Sequence, residues 1–305
     1  MPYGRIHRVL LAFISLDFKA ARPFAGLLDV GSHCYCFTCK TWHRAYLNST
    51  NYKDWEAVDD DFLREGAEKW RDAQNKAERM AIEEQYGVRY SQFWRLPYWR
   101  PSKQVTTDPM HTGYQLTQPK EAISWTPVDS PIVLERIQQA VREVIVPGWI
   151  AKPSDLIGLP RGGTPKADNW RTLFSIFLPL ALLSLWQEAS PIAAEDADAM
   201  ASVLQTSMYL TCAANKMSKH TLSLQDREDF REYLRLHIEG LKKNFPGFIQ
   251  PSHHLAFHIY DDMDLFSVVH HFWCFPGERL IGFLKRIPIN HKIGMNSFLS
   301  LLLFR

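Results

Sequence analysis

Three absences narrow the reading of this 305-residue chain before any motif is considered. Charge of one sign is not in excess: 35 Lys and Arg stand against 33 Asp and Glu, a net +2. Any nucleic-acid contact must come from a local patch, not from overall basicity. A disulfide framework is also lacking. Five cysteines is an odd number, and three of them crowd into positions 34, 36 and 39, which suits a metal site in a reducing compartment. Finally, no apolar run reaches the roughly 18–20 residues that span a bilayer. The most apolar stretch, 173–186, carries Pro179 and reads as a core helix. Residues 5–16, basic and then apolar, superficially copy a secretory signal but lead into Asp17-Phe18-Lys19, not into a small-residue cleavage site. The expectation is an intracellular protein, nuclear or cytoplasmic, with no membrane partner. Repeats, coiled-coil heptads and low-complexity tracts are missing too.

What is present is globular: 46% hydrophobic and 22% charged residues, enough chain for one large or two ordinary domains. Its most informative feature is a pair of pairs. Cys36-Phe-Thr-Cys39 lies near the start and His254-Leu-Ala-Phe-His258 near the end. Two residues between cysteines let a tight turn present both sulfurs, and His-x3-His sets two rings on one face of a helix. Together they supply two thiolates and two imidazoles, the ligands of one tetrahedral Zn2+ site. Cys34 and His43 stand as substitutes, since Cys39-x3-His43 could close a local knuckle. Each half is flanked by an acid, Asp17 at 19 residues before Cys36 and Glu278 at 20 after His258.

Residues 9–16 form an apolar run of strand length ending at Asp17, as expected of a buried strand delivering a carboxylate to a sheet edge. Phe62, Ala67, Trp70, Ala73, Ala77 and Met80 recur at helical spacing and predict one amphipathic helix over 59–85. Residues 96–126, rich in Pro, Thr and aromatics, read as a loop wrapping a surface. Helices are predicted near 131–146, 169–188, 193–215, 222–244 and 252–271. The linker 156–168 carries Arg161-Gly162-Gly163, a phosphate contact or a solvated loop. A last helix over 276–286 starts with Pro276 and bears Glu278 in its first turn. The aromatic cluster 93–100 is either a base-stacking surface or a hydrophobic latch.

The order acid, C-x2-C, helical stretch, H-x3-H, acid resembles DDE recombinases in which a zinc-holding helical insertion interrupts an RNase H-like core. The phrases resemble the fungal and plant CACTA-type (En/Spm-like) transposases. They include Gly4-Arg5-Ile6-His7-Arg8-Val9 through Arg22, Ser32 through His43, Phe93 through Trp99, Asp108-Pro109-Met110-His111, Lys166 through Arg171 and Trp273 through Gly282. The catalytic core of the V(D)J recombinase is a more distant likeness. The resemblance implies a mostly α, α+β fold: a core strand and helix in 1–30, the zinc-bearing insertion in 31–271, and a core helix with tail in 272–305. It implies Asp17 and Glu278 as ligands of catalytic Mg2+ or Mn2+, with transposon-end DNA as partner and room for a homo-oligomer. Asp108 is a further candidate acid, against a plain Asp-Pro turn. The resemblance places the family's first catalytic aspartate upstream of Met1, so this chain alone is expected neither to cut nor to join DNA. Residues 112–123 depart from the family pattern, and Gly277 stands where it usually has an aromatic.

Overall fold

Asp17, Asp59, Asn75 and Ser223 each start a helix by the same device, a side-chain oxygen accepting an otherwise orphaned N–H of the first turn. The helices they open are α1 (Phe18–Ala25), α2 (Asp60–Asp72), α3 (Lys76–Tyr86) and, further on, α9 (Leu224–Asn244). Ser223 and Asp226 complete a reciprocal capping box on α9. Between these lie the single turn α4 (Pro101–Gln104), α5 (Pro131–Glu143), α6 (Ala167–Thr172), α7 (Leu178–Gln187) and α8 (Ala194–Met217). After them come α10 (Pro251–Ala256), α11 (Ile259–Phe266) and α12 (Phe275–Leu284). This computed structural model describes residues 9–113, 131–163, 167–187 and 194–286. Among them no helix is long and apolar enough to cross a membrane.

Several expectations change. The single helix over 59–85 is two: Ala73 turns extended, and Asn75 restarts the chain by accepting from the Glu78 N–H at 2.9 Å. A short amide offering the backbone a local partner breaks the run. The buried face of α2 is Leu63, Gly66 and Ala67, whereas Ala77 and Met80 are exposed. The expected helix over 252–271 is likewise α10, α11 and a 3-10 turn at Val269–His271.

The expected strand at 9–16 is absent. Val9 and Leu10 are exposed, and only Ile14 pairs, in one parallel bridge to Val105. Among the described residues the remaining pairings are also isolated, Leu27 with Val88 and Cys39 with Ala57. With no continuous neighbour to accept its ladder, an apolar run cannot be a sheet strand. Mostly helical is therefore the architecture, and among the described residues β pairing is confined to isolated bridges.

The expected surface loop is also corrected, for its described part. Trp99, Val105, Thr106, Thr107, Asp108, Met110 and Thr112 are all buried. Pro109–Gly113 forms a π-type turn; 114–130 lie outside the described residues, so the departure from family pattern there has no structural account. Part of the aromatic cluster packs as a latch. Phe93 stacks on Trp99 at 4.9 Å and meets Phe24 edge-on at 5.0 Å, and Arg64 donates to the carbonyls of Trp94, Leu96 and Trp99.

In the apolar stretch 173–186, a π-type turn at Leu173–Phe177 runs into α7, whose second residue is Pro179. Proline has no N–H for the regular bond and crowds the preceding turn, so the Leu178 N–H reaches back to Leu173 instead. Phe174, Phe177 and Ala181 are buried while Leu180 and Leu183 are half exposed, the pattern of a core helix.

Two compact units result, Met1–Trp273 and Cys274–Arg305. Ile14, Ala21, Ala25 and Leu27 share one core with Leu63, Ala67, Tyr86, Val88, Trp94 and Trp99. The second unit contains α12.

Candidate metal centre

The cysteine knuckle is held by backbone pairing and by one buried cation. Lys40 N–H donates to the Glu56 carbonyl at 2.8 Å and Val58 N–H to that of Thr38 at 3.0 Å, so residues 38–40 run beside 56–58. On the other side Arg22, 1% exposed, donates to the carbonyls of Leu28 and Tyr35 and lies over the Phe37 ring. Burial lowers the guanidinium to about 10, against the opposing pull of Cys36 and Asp29. Trp42 Nε1 donates to the Cys36 carbonyl at 2.9 Å, and the Cys39 N–H points at Cys36 Sγ at 3.3 Å.

The histidines come from α10 and the junction after it. Phe257 and His258 remain right-handed, with Phe257 N–H bonding His254 and His258 N–H bonding Leu255 at 3.1 and 3.0 Å. The helix tightens there without reversing, so both rings stay on one side, 5.2 Å apart. Pro251 opens α10, and Gln250 with His253 caps it reciprocally.

Cys36, Cys39, His254 and His258 meet in the interior, each at most 5% exposed, with their four ligand atoms all within 4.8 Å of one another. The separations are 3.6 Å between the sulfurs, 3.3 Å from Cys36 Sγ to His258 Nε2, 3.3 Å from Cys39 Sγ to His254 Nε2, and 3.3 Å between the two Nε2 atoms. A regular tetrahedron with ordinary zinc–sulfur and zinc–nitrogen bonds has edges of about 3.8, about 3.5 and about 3.3 Å for these three kinds of pair. The quartet fits a metal ion such as zinc.

Cys39 is held far below the usual thiol range by its hydrogen bond with Cys36, with His254 and His258 adding to it, while burial pushes Cys36 well up. Burial pulls the His258 imidazolium down, but Asp261 and the Cys39 thiolate outweigh it and lift the group to about 9. Burial depresses His254.

Cys34 and His43, the substitutes, stand apart. Cys34 Sγ lies 3.1 Å from His33 Nε2, and burial pushes its thiol up to about 12. His43 stacks on His33 at 5.3 Å. The local knuckle is thus not what forms. Asp17 is exposed and accepts the Ala20 N–H at 2.8 Å, capping α1 rather than ending a strand. Asp108 is wholly buried, its Oδ1 facing the Met110 N–H at 3.3 Å in a turn. Glu278 is exposed in the first turn of α12, in the second unit. Among the described residues of the first unit, no other group of three or more His, Cys, Asp or Glu side chains converges.

Sequence reasoning missed several residues at this centre. Asp261 Oδ2 accepts from His258 Nδ1 at 2.7 Å, and its spacing of three beyond a ligand histidine was an available signal. Trp55 stacks on His254 at 4.2 Å and Tyr35 meets it edge-on at 5.2 Å; neither had a local signature. Asp262, buried, accepts the Thr107 N–H at 2.7 Å, and burial lifts its carboxyl well above the usual range. No protein family, curated protein or solved structure matches this chain.

Proposed function

We propose that this chain is a DDE transposase-derived protein whose Cys2His2 centre holds one structural Zn2+, and that by itself it binds DNA or protein without cutting DNA. One observation carries the zinc reading: two cysteines and two histidines, 215 and 222 residues apart along the chain, converge at tetrahedral separations. Two soft sulfurs with two imidazoles favour zinc over Mg2+ or Ca2+, which prefer oxygen. Four protein ligands close the shell and leave no position for substrate, the pattern of a structural site. The transposase reading rests on the resemblance in sequence and on the acids Asp17 and Glu278 flanking the ligands.

The noncatalytic part is supported by what Asp17 does. Its carboxylate caps a helix on the surface, so capture of Mg2+ or Mn2+ there would compete with the cap. The test is twofold. Purified protein is expected to carry one equivalent of zinc, retained by Cys34→Ser and lost in Cys36→Ser and in His254→Ala. Metal-dependent nicking of supercoiled plasmid is expected to be absent. Nicking that disappears in Asp17→Ala and Glu278→Ala would overturn the noncatalytic reading, and salt-dependent DNA retention without nicking supports it.

A further inference from the structure

The two histidines of the centre are oriented by different means. His254 offers Nε2 to the cluster while its Nδ1 is buried with no hydrogen-bond partner, and the rings of Trp55 and Tyr35 pack against its plane. His258 is fixed by chemistry. Its Nδ1 donates to Asp261 Oδ2 at 2.7 Å, so Nε2, which faces Cys36 and His254, is the nitrogen that would be left to bind a metal. The other oxygen of Asp261, Oδ1, accepts from Arg231 at 2.8 Å. Each carboxylate oxygen therefore has one partner, and the plane of the group is determined.

Arg231 is itself clamped. Its guanidinium lies 3.4 Å from the Tyr260 ring centroid and 4.7 Å from that of Tyr52, between residues of α11 and the turn after the knuckle. An arginine between two aromatic faces gives up mobility while keeping charge. Asp261 is 40% exposed on its side chain, and without Arg231 it could turn to water.

We infer that Arg231 and Asp261 are positioning residues for the metal ligand His258: Asp261 selects the tautomer that presents Nε2, and Arg231 aims Asp261. This rests on the zinc reading above. Outer partners of this kind typically change metal affinity by 10–100-fold when lost, whereas a surface ion pair with no such role would leave the metal untouched. A consequence is that α9, which supplies no ligand, becomes part of the centre through Arg231.

The experiment loads the full chain with Co2+ and Zn2+, following the cobalt absorption of the site and competing for zinc with a chromophoric chelator. Wild type is expected to hold one equivalent with a tetrahedral cobalt spectrum. Asp261→Asn keeps shape and an acceptor oxygen but loses charge; it should weaken zinc about 10-fold, and Asp261→Ala up to about 100-fold, with a shifted cobalt band. Arg231→Lys keeps the charge without the planar fork and should shift in the same direction. Glu232→Gln, on α9 and paired with Arg235, should behave as wild type. Wild-type affinity and spectrum in both Asp261→Asn and Arg231→Lys would overturn the inference while leaving the zinc centre intact. No metal in wild type would instead remove the zinc reading itself.

Discussion

His237 shows what burial does to a single ionisable residue. It sits wholly inside α9, donates Nδ1–H to the Thr206 carbonyl at 2.9 Å and leaves Nε2 buried without a partner. Burial lowers its imidazolium from 6.5 to about 4. The folded state then binds fewer protons than the unfolded chain between those two values, so stability rises with pH there and is lost as pH falls from 6.5 toward 4. The loss amounts to about 3 kcal/mol at 1.36 kcal/mol per unit. His237→Gln should flatten the acid side of the stability profile by close to one proton. Urea midpoints at pH 7, 5.5 and 4.5 check it, and equal steepness in variant and wild type would contradict it. The ligand residues were legible in sequence at this scale because C-x2-C and H-x3-H are local spacings. Asp261 was legible in principle, at one helical turn from His258. Trp55, Tyr35 and Arg22 were not, since what makes them part of the centre is packing between distant segments.

Among the elements, two helix pairs approach so closely that only glycine fits. A Cβ on Gly66 of α2 would lie 2.4 Å from Tyr86 Cβ in α3, and one on Gly240 of α9 would lie 2.2 Å from Thr206 Oγ1 and 2.9 Å from Thr206 Cβ in α8. Thr206 cannot easily yield, because its hydroxyl bonds the Ser202 carbonyl at 2.7 Å and accepts from Asn244 at 3.0 Å. Alanine is ordinarily the better helix former by about 1 kcal/mol, yet Gly66→Ala and Gly240→Ala should each destabilise by about 1–3 kcal/mol through overpacking. Thermal denaturation decides the sign. The helix expected near 222–244 was readable to within about two residues of its start, and Ser223 proves to be its cap. The break at 73–75 was not, because the apolar spacing continues through it and only the fold-back of α3 onto α2 gives the cap at Asn75 its value. The strand at 9–16 was misread for a related reason: an apolar run specifies burial, but a strand also needs a neighbour along its whole edge.

For the whole first unit, the centre with zinc bound as proposed would act as a crosslink between remote parts of the chain. By the relation used for covalent loops, fixing segments about 220 residues apart removes about 5 kcal/mol of unfolded-state entropy, in addition to the bonds themselves. Stripping the metal should therefore lower the melting temperature markedly, and zinc but not Mg2+ should restore it. Melting curves of chelator-treated and zinc-reconstituted protein test this. An unchanged midpoint would mean that the quartet holds together by hydrogen bonds alone. Cys36→Ser should lower the midpoint as chelation does, and its midpoint should then be insensitive to chelator.

By itself the sequence determined a helical, globular chain and the identity of the four clustered residues, because caps, amphipathic spacing and ligand pairs are local patterns that survive without a fold. Tertiary structure decided which candidates meet. It left Cys34 and His43 out, set Asp17 to capping a helix, buried residues 105–110 and 112, and brought Asp261 and Arg231 behind His258. Convergence depends on how helices pack across more than 200 residues of chain, and no spacing along one segment encodes that.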